Sequence, residues 1–235
     1  LSAFLFVVDI GNAVMGLAIG ADKEFQGGLL DLLNPYALSV GLFTVLLFAL
    51  HGAMFLIVKT EGKQQAQIQK IGKLLFILFL FAYLLVTGLT IYLKPEMVAN
   101  FSFGKMSMPG GAHELVKNYQ TTLSIVTWIL VGANFLAVLN ISRALWKGKE
   151  ILGFLSSSAN IAALVSLFAL GVFPNLLVSN LNPDWNLTIY NASSSDYTLK
   201  TMFFLALIGM PFVIAYTSII YWTYRGKTEL TDSSY

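Results

Sequence analysis

The sequence predicts an all-α membrane protein with six transmembrane helices, and two observations carry that expectation. Of the 235 residues, 57% are hydrophobic and only 11% charged, with a mean hydropathy of +0.74. Soluble domains carry roughly 25% charged residues, so most of this chain's surface is not built to face water. The apolar residues also gather into six stretches, each near the ~20 residues that a helix needs to cross hydrocarbon. Period-2 alternation of barrel-strand length is absent, so helices rather than a closed barrel satisfy the backbone.

The predicted spans are residues 1–20, 34–58, 74–93, 121–146, 151–173 and 201–224, forming a single transmembrane domain over 1–235. Turn-forming residues separate them: Gly27-Gly28, Asn34-Pro35, Pro95, Pro109-Gly110-Gly111, Pro174 and Asn182-Pro183. Leu1 opens directly into an apolar run with neither an initiator Met nor a basic flank, so the sequence reads as lacking its beginning. With no cysteine, disulfides, thiolate metal sites and thiol nucleophiles are excluded.

Orientation follows from the basic residues. Lys59, Lys63, Lys70, Lys73, Arg143, Lys147, Lys149, Arg225 and Lys227 lie on one side in short turns and the tail. Lys23, Lys94, Lys105, Lys117 and Lys200 are spread over longer loops on the other, among seven acids. With all charges counted, the sides carry +5 and −2. The positive-inside rule makes the short basic turns and the C-terminus cytoplasmic. The outer loop 179–200, rich in Asn and Ser, reads as a solvated cap.

Charges inside a span cost several kcal/mol unless paired or wetted, so each is a functional candidate. Asp9 is the one acid that qualifies, ~12 Å along the helix axis from Leu1 at about 1.5 Å per residue. Helical spacing places Ser2, Asp9, Asn12 and Gly16 on one face, a small and polar stripe that must meet protein or water. Two readings stand for Asp9: a station in a proton path, or a protonated carboxyl that hydrogen-bonds a neighbouring helix. His51 is the membrane-embedded histidine, with Thr44 on its face and Gly52-Ala53 beside it for close helix approach. A hydrogen-bonded core histidine is the favoured reading, and an imidazole can also exchange protons near neutral pH. A haem ligand is the alternative, but the other histidine, His113, lies in an outer loop and cannot pair with it across a haem. Thr127, Asn134, Ser156, Ser157, Ser158 and Asn160 read as packing groups.

A Gly-rich phosphate loop, a metal-ligand cluster, a Ser-His-Asp set and a carboxylate pair within a span are all missing from the sequence. No self-sufficient catalytic site is therefore expected, and no catalytic, cofactor-binding or metal-binding residue is assigned. A secondary transporter or permease subunit is the alternative class. Transporters often show repeated halves with broken helices, which this sequence lacks.

Several segments resemble one family. They are DIGNAVMGL at 9–17, LLDLLNPYALSVGLFTVLLFALHGAMFLIVKTEG at 29–62, NLTIYNASSSDYTLK at 186–200 and YWTYRGK at 221–227. Together they are similar to subunit II, the smaller non-haem subunit, of cytochrome bd-type quinol oxidases, along essentially the whole chain. The resemblance implies a nine-helix subunit built from four-helix bundles, of which these six helices fit the last six. The family's N-terminal part, with its Gly-Phe-Asp motif, is not in this sequence, so its first bundle would be represented by one helix and the piece alone should not pack stably. The resemblance further implies a multi-pass protein of a bacterial or archaeal inner membrane, in a respiratory complex that oxidises quinol and reduces O₂. The b and d haems are expected in a larger partner subunit. A small accessory single-helix subunit and a bound lipid or quinone are further partners it allows, and nothing points to nucleic acid. Asp9, Asn12 and His51 are then the candidate residues of a proton path from the cytoplasm. Relatives can carry a small residue at the position of Asp9, and His or Gln at that of His51.

Overall fold

The computed structural model describes residues 2–101 and 113–227. Seven α-helices dominate them: α1 (Ser2–Met15), α2 (Pro35–Lys59), α3 (Gly62–Leu93), α4 (Pro95–Asn100), α5 (His113–Lys147), α6 (Glu150–Val172) and α7 (Asp196–Thr223). Five helices are long and apolar enough to cross a membrane: α2, α3, α5 over Thr122–Lys147, α6 and α7. The chain is an all-α, multi-pass membrane protein.

Helices α2, α3, α5 and α6 run alternately up and down and close into a four-helix bundle. The reason is legible along α2, where Tyr36, Val40, Phe43, Leu47, Leu50, Met54 and Ile57 are all buried. Their spacing alternates between four and three residues, the seam that packs knobs into holes at a small crossing angle. Phe76, Phe79 and Ala82 of α3 and Val138, Ile141 and Leu145 of α5 complete the core, with Phe154, Ile161 and Leu164 of α6 packed against it. Phe43 stacks on Phe79 at 5.7 Å between ring centres. Lipid is as apolar as these side chains, so contact quality and close approach, rather than escape from water, hold such a bundle together. Gly72 and Gly153 serve that end: a Cβ on either would sit 3.1–3.4 Å from Met54, Leu145 or Ala144.

The turns on the basic side are tight. Gly62 and Gly148, at φ +61° and +65°, reverse the chain between α2 and α3 and between α5 and α6, a backbone region that glycine enters without strain. At the opposite end, Asn34 caps α2 by accepting from the Ala37 amide at 2.8 Å, and Pro35 fills the first helical position. α3 begins well before the predicted residue 74, because the polar segment from Gly62 continues the helix beyond its apolar stretch.

Two expectations need correction. The predicted first span, 1–20, is helical only to Met15. Gly16 turns the chain at φ +91°, and Leu17 pairs with extended backbone far along the chain: its amide donates to Val178 O at 2.8 Å, and its carbonyl accepts from Asn180 N at 2.9 Å. The other five predicted spans correspond to the helices long and apolar enough to cross a membrane among the described residues. Nor is 179–200 a merely solvated cap. β1 (Asn175–Leu177) pairs antiparallel with β2 (Leu187–Thr188). Ser179 Oγ donates to Ile19 O at 2.8 Å, and Lys23 Nζ reaches Asp184 O at 2.9 Å. The segment after α1 and the segment after α6 thus form one folded cover.

Helices α1 and α7 lie outside the closed bundle. α1 packs on α2 so closely that a Cβ on Gly11 would stand 2.6 Å from Ala37 Cα. α7 continues through Pro211 and has no buried residue. It is fastened at its basic end, where Lys59 Nζ donates to Tyr224 O at 2.6 Å and Gly226 O at 3.3 Å. A cation over the last carbonyls of a helix also opposes the negative end of its dipole.

Candidate functional site

The three candidate residues are not gathered into one site. Asn12, 2% exposed, faces α2: its Nδ2 donates to Leu32 O at 2.8 Å and its Oδ1 accepts from Asn34 Nδ2 at 2.7 Å. Because Asn34 also caps α2, Asn12 locks α1 to the start of that helix through both its amide nitrogen and its amide oxygen. Asp9 lies one turn earlier but is exposed together with Ile10, whereas Val8, Gly11, Asn12 and Ala13 are buried. The single polar stripe therefore splits, since α1 buries only the arc that includes Gly11. Among the described residues the Asp9 carboxyl has no hydrogen-bond partner.

His51 sits on α2 against α6. Its Nδ1 lies 2.8 Å from Ser157 Oγ, and its ring stacks on Phe154 at 5.2 Å and 24°. Ser157 is 1% exposed and also reaches Phe154 O at 2.8 Å. The neighbouring Ser158 Oγ donates to the same carbonyl at 3.0 Å. His51 Nε2 has no hydrogen-bond partner among the described residues. Thr44, expected beside His51, instead bonds back to Val40 O of its own helix at 3.0 Å. Of the pair expected to allow close approach, Ala53 is buried, while Gly52 faces open space.

A second polar group lies deeper in the bundle. Tyr83 of α3 donates to Asn134 Oδ1 of α5 at 2.7 Å, and Asn134 Nδ2 stands 3.5 Å from Asn160 O of α6. Asn160 itself is 0% exposed, and neither atom of its side-chain amide has a partner among the described residues. Tyr83 is a participant that sequence reading missed, since a tyrosine in an aromatic-rich span carries no special mark. Thr127 bonds to Leu123 O within its own helix, as a packing group would.

At the basic end Lys227 Nζ bridges Glu61 and Glu150, 3.3 Å from each, and Gln65 Nε2 joins Glu150 at 2.8 Å. The hydrogen bond to Glu150, then that to Glu61, and the charges of both push the Lys227 ammonium above its ordinary pKa. The sequence marks these residues only as loop charges. At the other end, a cleft of about 520 Å³ opens between α1, α4, α6 and the cover. Val14, Met97 and Val172 give it an apolar wall, and Lys94, Glu96 and Asn180 give it a polar side. No three His, Cys, Asp or Glu side chains converge on a metal-sized position among the described residues.

These features describe a membrane scaffold with isolated polar stations, and comparison with known proteins places it. A sequence profile described as cytochrome bd terminal oxidase subunit II matches residues 1–224. The chain belongs to that family. It is 28% identical over 214 residues to cytochrome bd ubiquinol oxidase subunit 2 of Bacillus subtilis (strain 168), covering 91% of this chain and 56% of the relative. It is 24% identical to a probable cytochrome oxidase subunit 2 of Haemophilus influenzae, covering 99% and 63%. It is 22% identical to cytochrome bd-I ubiquinol oxidase subunit 2 of Escherichia coli (strain K12), covering 96% and 62%. The chain thus spans about three-fifths of the length of these subunit II relatives. Its closed bundle of α2, α3, α5 and α6 agrees with the four-helix bundles that the resemblance implied.

Proposed function

We propose that this chain serves as the non-haem subunit of a bd-type terminal oxidase, a complex that oxidises quinol in a respiratory membrane and reduces O₂ to water. The observation that carries this reading is the family match across residues 1–224. In this reading the b and d haems belong to a larger partner subunit, and the chain alone is not catalytic. The complex lies in a bacterial or archaeal inner membrane, with the basic turns and the C-terminus cytoplasmic. The outer cleft, apolar on one wall and polar on the other, suits the amphipathic shape of a lipid or quinone, and a small accessory helix could join the assembly.

The chain's own contribution is structural support together with part of a proton route from the cytoplasm. Asp9 and His51 are its titratable stations, supported by an exposed carboxyl on a membrane helix and an imidazole with Nε2 left open. Asn12, whose amide is bonded to Leu32 and Asn34, holds the helix that carries Asp9. The test is to purify the complex through this chain and record a reduced-minus-oxidised spectrum, then measure quinol-dependent O₂ consumption. Haem bands and turnover are expected; co-purified material without haem would defeat the assignment. Asp9→Asn and His51→Gln should each slow turnover with haem content intact. Unchanged turnover and unchanged gradient formation in both would remove the proton route.

A further inference from the structure

We propose that Ser157 is a positioning residue for His51, its Oγ accepting from the Nδ1 proton in both the neutral and the protonated ring so that Nε2 alone exchanges protons. The inference deepens the proton-route reading of His51 and rests on it for its functional meaning. The geometry concerns one hydroxyl with two neighbours: Ser157 Oγ lies 2.8 Å from His51 Nδ1 and 2.8 Å from Phe154 O. A serine hydroxyl has one proton to give and lone pairs to receive. When Nδ1 carries a proton, in one neutral tautomer or in the imidazolium, it donates to Ser157 Oγ, and the Ser157 proton turns to Phe154 O. Because the ring gains and loses its proton at Nε2, Nδ1 keeps its own proton through the cycle, and this arrangement of Ser157 persists in both charge states.

The consequence is chemical. A buried polar group that loses its partner on changing charge pays a desolvation cost each time, and a relay residue must change charge at every transfer. Ser157, 1% exposed and fixed on the rigid α6, removes that cost on the Nδ1 side. Stacking on Phe154 at 24° fixes the ring plane, so the two contacts together determine where Nε2 points. A proton arriving from outside this chain adds to the Nε2 lone pair and later leaves from the same nitrogen; the Ser157 proton stays on its oxygen throughout. Ser157 thus acts through His51 and touches no substrate.

The experiment uses the assembled complex with ¹⁵N-labelled histidine, observed by solid-state NMR, with His51→Gln assigning the His51 resonances by their disappearance. In the native complex Nδ1 should show the shift of a hydrogen-bonded nitrogen. Ser157→Ala should move that resonance to an unpaired position and lower turnover several-fold, whereas Ser157→Thr, which keeps the hydroxyl, should restore both. An Nδ1 signal that is unpaired in the native complex, or unmoved in Ser157→Ala, overturns the proposal. The native measurement alone decides if Ser157→Ala fails to assemble. If Ser157→Ala moves the resonance while His51→Gln turns over normally, the positioning contact stands and the proton-route reading of His51 falls.

Discussion

Asn160→Leu probes the bundle at its least satisfied point. Both atoms of the Asn160 amide are enclosed and unpaired, although the residue lies among polar neighbours on α3 and α5. An orphaned buried donor or acceptor costs about 1–3 kcal/mol, while an apolar group of the same shape carries no such penalty. Leu branches at the same carbon and places two methyl groups where the amide oxygen and nitrogen stood. The contact that Asn160 does make, from Asn134 Nδ2 at 3.5 Å, uses its backbone carbonyl and survives the change. Leu is bulkier, so overpacking takes back part of the gain, and a net stabilisation of about 1–2 kcal/mol is expected. The assay is thermal unfolding of the purified complex in detergent, with Asn160→Ala as the comparison, because Ala removes the same polar atoms and leaves a cavity. Leu should melt above the native protein and Ala below Leu. A Leu variant that melts several degrees lower would refute the reasoning, since it would mean that the amide holds a partner worth more than its desolvation.

Three further perturbations follow from the same geometry. Gly11→Ala places a methyl 2.6 Å from Ala37 Cα, and backbone cannot step aside as a flexible side chain would; a loss of about 1–3 kcal/mol should appear as a lowered melting temperature, and an unchanged one would show that α1 does not pack on α2 as described. Gly16→Val should be poorly tolerated on two counts, the φ of +91° and a Cβ 3.2 Å from Val178 O, with easier proteolysis of the outer cover as the readout and an unchanged cleavage pattern as the contrary result. For the clasp at the basic end, the sign follows from Lys227. Its folded-state pKa is raised above the ordinary 10.5, so the contribution is complete below that value and disappears only as pH climbs through the raised one. Because the chain has no cysteine, label pairs introduced at Thr223 and the exposed Lys63 can report the α7 distance. It should hold constant from pH 7 to 10 in the native protein and broaden in Lys227→Met; broadening of the native distance within that range would contradict the clasp.

How much of this was legible in the sequence depends on the range over which each residue acts. The ends of α2 are local, with Asn34-Pro35 at one and Lys59 at the other. The seam from Tyr36 to Ile57 is not legible in this way, because the outward Leu38, Leu42, Val45, Phe48 and Leu56 are just as apolar. The stop at Gly16 was not legible. Glycine within an apolar run is common in membrane helices, and what ends this one is pairing with Val178 and Asn180, a contact that no window of neighbouring residues contains. The same limit hid the His51–Ser157 pair, whose members lie 106 positions apart. Ser157 looked like a packing serine because its partner is set by how α2 meets α6. The face shared by Asp9 and Asn12 failed for a different reason. Residues three apart lie near each other on a helix, but the edge of a contact surface can fall between them, and here Asn12 lies inside that edge and Asp9 outside.

The location of that edge bears on the proposed proton stations. Asn12, Tyr83 and Asn134 are engaged in helix-to-helix bonds, so none can pass a proton on without breaking the packing it secures. Asp9 and His51 differ in kind, since each presents a titratable atom that nothing among the described residues engages. An unpaired carboxyl on a membrane helix is costly in lipid, and nothing among the described residues offsets that cost for Asp9. α7 is likewise uncovered. A 28-residue helix without one buried side chain is positioned by Lys59 and Lys227 at its basic end, while its length is left free for lipid or a neighbour. The bundle core is closed by α2, α3, α5 and α6, and α1 and α7 lie outside it. Under the proposed proton route the residues that merit mutation for function are Asp9 on α1 and His51 on α2, rather than Asn12, Tyr83 and Asn134, which are engaged in helix-to-helix bonds.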